Sequence, residues 1–254
     1  MISLKTKAEI EKIRSAGMIV AGAFEVIREN LKPGITTAVL DDLANEYIER
    51  RGGKAAFKGY HGYPANICVS IDEEVVHGIP GERRIEAGQL VSIDVGVLLD
   101  GYYGDSAYTF LVDGVSPEAK KLARVAEEAL YRGIEVARPG GHLTDISWAI
   151  QSHVESNGFS VVRDLVGHGL GKKMHEDPRI PNYGKPGAGP LLREGMVLAI
   201  EPMVNQRGYE IETLKDQWTV VTKDRSLSAH FEHTVVVTAN GPVILTGGRF
   251  TCKI

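Results

Sequence analysis

The chain carries a weak copy of itself, and that duplication limits the folds open to it. Leu31-Lys32-Pro33-Gly34 recurs as Ala137-Arg138-Pro139-Gly140 at an offset of 106, and each copy precedes a helical pattern that closes on glycine, Gly52 or Gly158. At an offset of 107, His61-Gly62 falls on His168-Gly169, and GQLVSID (88–94) falls on GMVLAIE (195–201). A repeated unit of two helices followed by strands implies related halves that share one core. The expectation is a single catalytic domain over residues 1–254, with the pseudo-repeat at about 7–112 and 116–240.

Local signals fill in the units. Thr6 with Glu9 makes a capping box, and Ile10, Ile13, Met18 and Phe24 mark a helix that ends near Pro33-Gly34. Leu40, Leu43, Ala44, Tyr47 and Ile48 recur at helical spacing in a second helix, which starts at Thr36 or Thr37 and stops at Arg51-Gly52-Gly53. Residues 65–112 read mostly as strands. Ser116-Pro117-Glu118 gives a cap and a first-turn proline to a third helix with Leu122, Val125, Ala126 and Ala129 on one side, and a fourth covers about 144–156. Strand patterns return from Phe159, so the class is α+β.

The repeat aligns acids as well as punctuation. Asp94 lies between Ile93 and Val95 in a strand pattern, and Glu201 occupies the matching place after Ile200. Beyond an insertion, Glu232 opens a strand resembling the one that begins at Asp105. One acid in a strand belongs on a solvated face or beside an arginine. Four embedded acids in two corresponding pairs require a common offset, because a buried carboxylate is costly unless paired or bound to a cation.

Turn geometry decides whether Asp94 and Asp105 meet. A two-residue loop at Leu99-Asp100 or at Asp100-Gly101 places them on one face, opposite or diagonal, whereas a three-residue loop separates them; Asp100-Gly101 favours the short turn. If the second half copies the first about a pseudo-twofold axis, Glu201 and Glu232 arrive from the other side. Four carboxylates a few Å apart raise one another's pKa values, and two divalent cations would supply the missing charge. His168, in Gly167-His168-Gly169-Leu170-Gly171, is the nitrogen donor that moves the choice toward manganese, iron, cobalt or zinc. Such a pair of ions can hold a bridging water and lower its pKa toward neutrality.

Several classes are excluded. The balance of 29 basic against 33 acidic residues, net −4, gives no general attraction to nucleic acid or to an anionic membrane. No segment approaches the roughly 20 apolar residues of a membrane span, and the N-terminus has no signal-peptide pattern. Cys68 and Cys252 could form one bridge at most, which excludes a disulfide framework and favours the cytoplasm. Gly171-Lys172 lacks the surroundings of a phosphate loop, and a zinc-protease His-Glu-x-x-His is absent.

Over nearly its whole length the chain resembles the type I methionine aminopeptidases of the pita-bread metallopeptidase family. The resemblance rests on Tyr60-His61-Gly62-Tyr63-Pro64, His77-Gly78-Ile79-Pro80, the spacing of Asp94 and Asp105, the His168 motif, Ala199-Ile200-Glu201-Pro202 and residues 222–233 (TKDRSLSAHFEH). It implies two halves related by a pseudo-twofold axis, each with two helices and antiparallel strands, and a strongly curved central sheet with helices on its outer face. It also implies two divalent ions (cobalt, manganese, iron or zinc), with Asp94 on one, His168 and Glu201 on the other, and Asp105 and Glu232 bridging both.

By the same resemblance the activity is removal of N-terminal methionine from nascent proteins and peptides that have a small second residue. Glu201 would shuttle the proton, His175 would stabilise the oxyanion, and His77 would contact the scissile amide or the next residue. Tyr60, Tyr63, Cys68, Met174 and Trp218 would surround the methionine side chain, with His61 near the mouth. Two positions depart from the family pattern: Met174 replaces an aromatic residue, and Gly96 replaces a threonine beside Asp94. A cytoplasmic monomer with transient ribosome association, no membrane partner and no nucleic-acid specificity is expected.

The nearest alternative, a pita-bread peptidase acting on proline-containing substrates, would usually carry an extra N-terminal domain, yet only about 60 residues precede the Tyr60-His61 loop. A nonenzymatic binding protein on this scaffold would have lost ligands, and all five are present. The type II enzymes carry a large insertion after the position of Gly158, which does not occur here.

Overall fold

The computed structural model describes residues 2–247, so Cys252 lies outside the described residues. Four helices, α1 (Lys7–Asn30), α2 (Thr37–Arg50), α3 (Pro117–Glu135) and α4 (Leu143–Ser156), appear as two pairs, each followed by strands. Their starts have local causes. Thr6 and Glu9 exchange the reciprocal bonds of a capping box, Thr36 accepts from Val39 N–H, and Ser116 caps α3 ahead of Pro117.

The buried stripe of α1 runs through Ile13, Ala16, Val20, Phe24 and Ile27. Met18 is not on it and is 55% exposed. Five residues separate Met18 from Ile13, which at 3.6 per turn turns its side chain well away from the stripe. α1 lies against the hairpin formed by strands Leu90–Leu99 and Tyr102–Leu111. The approach is close because neither surface has a side chain at the crossing: a Cβ on Gly104 would stand 2.6 Å from the nitrogen of Gly17.

All strand pairings among the described residues are antiparallel. The first-half hairpin joins strands Lys54–Ala55 and Cys68–Ile71 in one sheet, and the second-half sheet contains strands Val166–Gly169, Glu176–Pro181, Val197–Ile200, His233–Thr238 and Gly241–Ile244. The halves are tied across the middle. Glu232 N–H donates to the carbonyl of Ala107 (2.9 Å), and the Thr234 hydroxyl donates to the carbonyl of Asp105 (2.7 Å) while accepting from Asp105 N–H (3.2 Å). Thr109 makes the same reciprocal pair with His230, at 2.8 and 2.9 Å. These bonds fix the acid-bearing strands of both halves against each other.

Behind this seam, Glu127 of α3 is only 9% exposed and shares a small space with Tyr131 and His233. Burial, reinforced by the charge of Glu128, pushes its carboxyl up from 4.5 to about 7. A raised carboxyl pKa means that the fold prefers the protonated form. Its contribution to stability is therefore full below about pH 4.5 and lost as pH rises through about 7. Glu127→Gln should leave stability unchanged near pH 4.5 and raise it by roughly 1–3 kcal/mol at pH 8. Urea unfolding at the two pH values checks this, and an equal gain at both would contradict it.

Candidate metal centre and active site

The first-half hairpin turns on Asp100 (φ 48°) and Gly101 (φ 79°), the two positive dihedrals of a tight loop. Its register pairs Leu99 with Tyr102, Gly96 with Asp105 and Asp94 with Ala107. Asp94 and Asp105 are therefore diagonal neighbours on one face. Cys68 is the cross-strand partner of Asp94 on the other side, which brings the thiol to the same surface. Asp41 of α2 anchors the start of that strand by accepting from Asn66 N–H (2.9 Å), Asn66 Nδ2 (2.6 Å) and Ile67 N–H (2.9 Å).

His168 comes from a strand hemmed in by its neighbours. A Cβ on Gly167 would lie 2.5 Å from the carbonyl oxygen of Ala199, and one on Gly169 would lie 2.1 Å from that of Asp177. The glycines flanking His168 are thus spacers that let three strands close up around it. The imidazole Nδ1 is 2.9 Å from the carbonyl of Gly169, which can only accept, so Nδ1 carries the proton and the Nε2 lone pair faces the centre. Nε2 lies 3.5 Å from Glu201 Oε1 and 3.8 Å from Asp105 Oδ2. Ligand atoms of Asp105, His168 and Glu232 all fall within 4.8 Å of one another.

The four acids are crowded and dry. Burial raises the pKa of each, and neighbouring carboxylates add to the rise at Asp94, Glu201 and Glu232. Burial, aided by His175, lowers His168 to about 3, which keeps it neutral and able to coordinate. Asp94 Oδ1, Asp105 Oδ1 and Glu232 Oε1 are buried with no hydrogen-bond partner among the described residues. Unsatisfied carboxylate oxygens beside a neutral imidazole are what a divalent cation would satisfy, so the residues present fit a metal centre.

The acids floor a cavity of about 230 Å³. Every residue singled out in the sequence lines it except Met174, and Phe57 joins them. Met174 is 1% exposed and stands behind the wall, its Cε 2.6 Å from where a Cβ on Gly96 would be. The two departures from the family pattern are therefore one feature: a missing side chain at Gly96 makes room for the methyl of Met174. On the apolar side Tyr63 meets Trp218 edge-on at 5.2 Å, and its hydroxyl donates to the carbonyls of Gly78 (2.9 Å) and Ile67 (3.1 Å). Across the mouth Tyr60 OH and His175 Nδ1 are 2.7 Å apart, and the His175 ring lies 4.2 Å from that of His168. His61 also reaches the cavity, with a φ of 49°. His77 holds a φ of 61°, a strained backbone for a bulky residue, and burial lowers its pKa to about 4.

Sequence reasoning missed His230. It is 2% exposed, its Nε2 has no hydrogen-bond partner among the described residues, and that atom lies 3.9 Å from Glu201 Oε2. The signal was its place two residues before Glu232, although the strand Ser228–His230 ends there and the next begins at His233. Nothing in the local pattern marks Phe57.

The sequence pattern of metallopeptidase family M24 matches residues 11–239. A methionine aminopeptidase from Clostridium perfringens is 53% identical over 246 residues, covering 97% of this chain and 99% of that protein. The crystal structure of methionine aminopeptidase from Thermotoga maritima superposes with a TM-score of 0.96 at 48% identity, covering 98% of this chain and 100% of that one. The prolidase from Pyrococcus furiosus superposes with a TM-score of 0.80 at 26% identity, over 97% of this chain and 66% of that one.

Proposed function

The chain belongs to metallopeptidase family M24, with the pita-bread fold, and from that premise we infer that it removes N-terminal methionine from peptides and nascent proteins. The observation that carries this reading is the meeting of Asp94, Asp105, Glu201, Glu232 and His168 at the floor of a cavity with an apolar wall. At about 230 Å³ it suits one side chain and the bond beside it, below the size of a typical drug-sized pocket.

The five floor residues would hold two divalent ions, and the single imidazole among oxygens narrows the choice to cobalt, manganese, iron or zinc. Bound there, the ions supply Lewis-acid polarisation of a carbonyl and a lowered pKa for water. The chain's own residues do the rest. Tyr63, Cys68, Trp218 and Phe57 take the methionine side chain, with Met174 supporting the wall from behind. Glu201 accepts the proton of the attacking water and returns it to the leaving amine. His175, oriented by Tyr60, donates to the developing oxyanion, and strained His77 holds the scissile amide. Asp94, which lines the same cavity, would hold the ion beside the free α-amine, which would explain exopeptidase action. We assign the enzyme to the cytoplasm as a monomer that visits the ribosome transiently; buried, free Cys68 is consistent with a reducing compartment.

With a divalent metal, the purified protein should cleave Met-Gly peptides and stop on chelation. Equal turnover of Gly-Pro peptides would instead favour the prolidase-like reading.

A further inference from the structure

The catalytic cavity abuts a larger one. A cleft of about 750 Å³ shares His168 and His175 with it and continues along residues 172–179. The smaller cavity has room for little beyond the first residue, so a longer peptide held there must extend outside it, and the cleft that shares His168 and His175 lies beside it. This cleft is basic in a chain whose net charge is −4. Lys172, Lys173 and Arg179 line it, all exposed. Lys173 and Arg179 enter no ion pair among the described residues, and Lys172 only a 4.0 Å contact with Glu9. Of the two acids in the lining, Glu176 is cancelled: Lys5 Nζ lies 2.6 Å from its Oε2 in a pair whose side chains are 5% and 16% exposed. Its other oxygen accepts from Lys173 N–H at 3.1 Å. A Cβ on Gly171 would sit 2.6 Å from Lys5 Nζ, so the glycine admits the ammonium that removes this negative charge. Three cations thus outnumber the two acids in the lining, Glu176 and Asp177.

Building on the aminopeptidase reading, we propose that this cleft is a binding subsite for the substrate chain beyond its second residue, and that it selects acidic side chains there. The cations touch no reacting atom. Their attraction acts equally on bound substrate and transition state, so it lowers KM and leaves kcat unchanged. Exposed ion pairs are individually weak and screened by salt, so two acidic residues should gain about five- to tenfold in kcat/KM at low ionic strength and little at high.

The test uses metal-loaded enzyme and C-terminally amidated peptides Met-Gly-Xaa-Xaa, with Xaa as Glu, Gln or Lys, in dilute buffer and in high salt. The expected order of kcat/KM is Glu, then Gln, then Lys, carried by KM, collapsing in high salt and inverted by the double substitution Lys173→Glu with Arg179→Glu. An equal response across the series, or an order that survives the charge reversal, overturns the subsite. Binding of an RNA oligonucleotide that the double variant loses, with no order among the peptides, assigns the cleft to RNA and overturns it as well. The uncharged Gln peptide reports the activity by itself. Failure to cleave it overturns the aminopeptidase reading, and the subsite with it.

Discussion

Glu201→Gln should lower kcat by roughly 10²- to 10⁴-fold, the usual effect of losing a positioned proton carrier. The substitution preserves shape, and the strand Val197–Ile200 that leads into it is buried throughout, so the fold should survive. What changes is proton affinity. Glu201 sits with Oε1 3.5 Å from His168 Nε2 and Oε2 3.9 Å from His230 Nε2, dry and beside Asp105, so its pKa lies well above the ordinary carboxylate value. A carboxylate placed there can take a proton from water and give it back; an amide cannot do so. Steady-state kinetics on a Met-Gly peptide, with metal content measured on the same sample, separates a chemical defect from loss of metal. Wild-type kcat in the variant would remove Glu201 from proton transfer.

Asp105→Asn should have the second large effect, with opposite signs for activity and stability. Asp105 is 4% exposed, and its carboxylate is within reach of His168 and Glu232. Loss of its charge should weaken metal binding and remove several kcal/mol of transition-state stabilisation, on the order of 10³-fold in kcat/KM. The metal-free variant should nevertheless melt at a higher temperature than the metal-free wild type, because one of four mutually repelling buried carboxylates is gone. Metal added at about 100 times its Kd should stabilise the wild type by about 2.7 kcal/mol and the variant by much less. Thermal melts of both proteins with and without metal give all four values. A metal-free variant less stable than the metal-free wild type would show that Asp105 serves packing instead of the charge cluster.

The parts of this molecule legible in its sequence are those with local causes. Helix starts followed from Thr6, Thr36 and Ser116, whose hydroxyls act within three residues. The diagonal of Asp94 and Asp105 followed from one two-residue turn, because strand side chains alternate. The repeat supplied the only long-range information, by matching Glu201 to Asp94. What stayed hidden depends on contacts between distant segments. Met18 illustrates the local limit: an apolar residue in a helix need not lie on its buried stripe. Met174 and Gly96, 78 positions apart in the chain, fill one another's space, which neither position announces. The seam of Thr109 and Thr234 that joins the halves looks like ordinary strand threonine, since its partners lie 121 and 129 residues away. The basic cleft is equally illegible, because Lys5 and Glu176 must meet, 171 residues apart, before the remaining charge can be counted.

Acids from both halves would build one shared cation site. Equilibrium dialysis against cobalt or manganese, with metal counted per chain, tests it most directly. Two bound ions in the wild type, falling sharply in Asp105→Asn and in Glu232→Gln, is the predicted result. A protein that binds no metal yet cleaves Met-Gly peptides, or whose metal content ignores both substitutions, would contradict it.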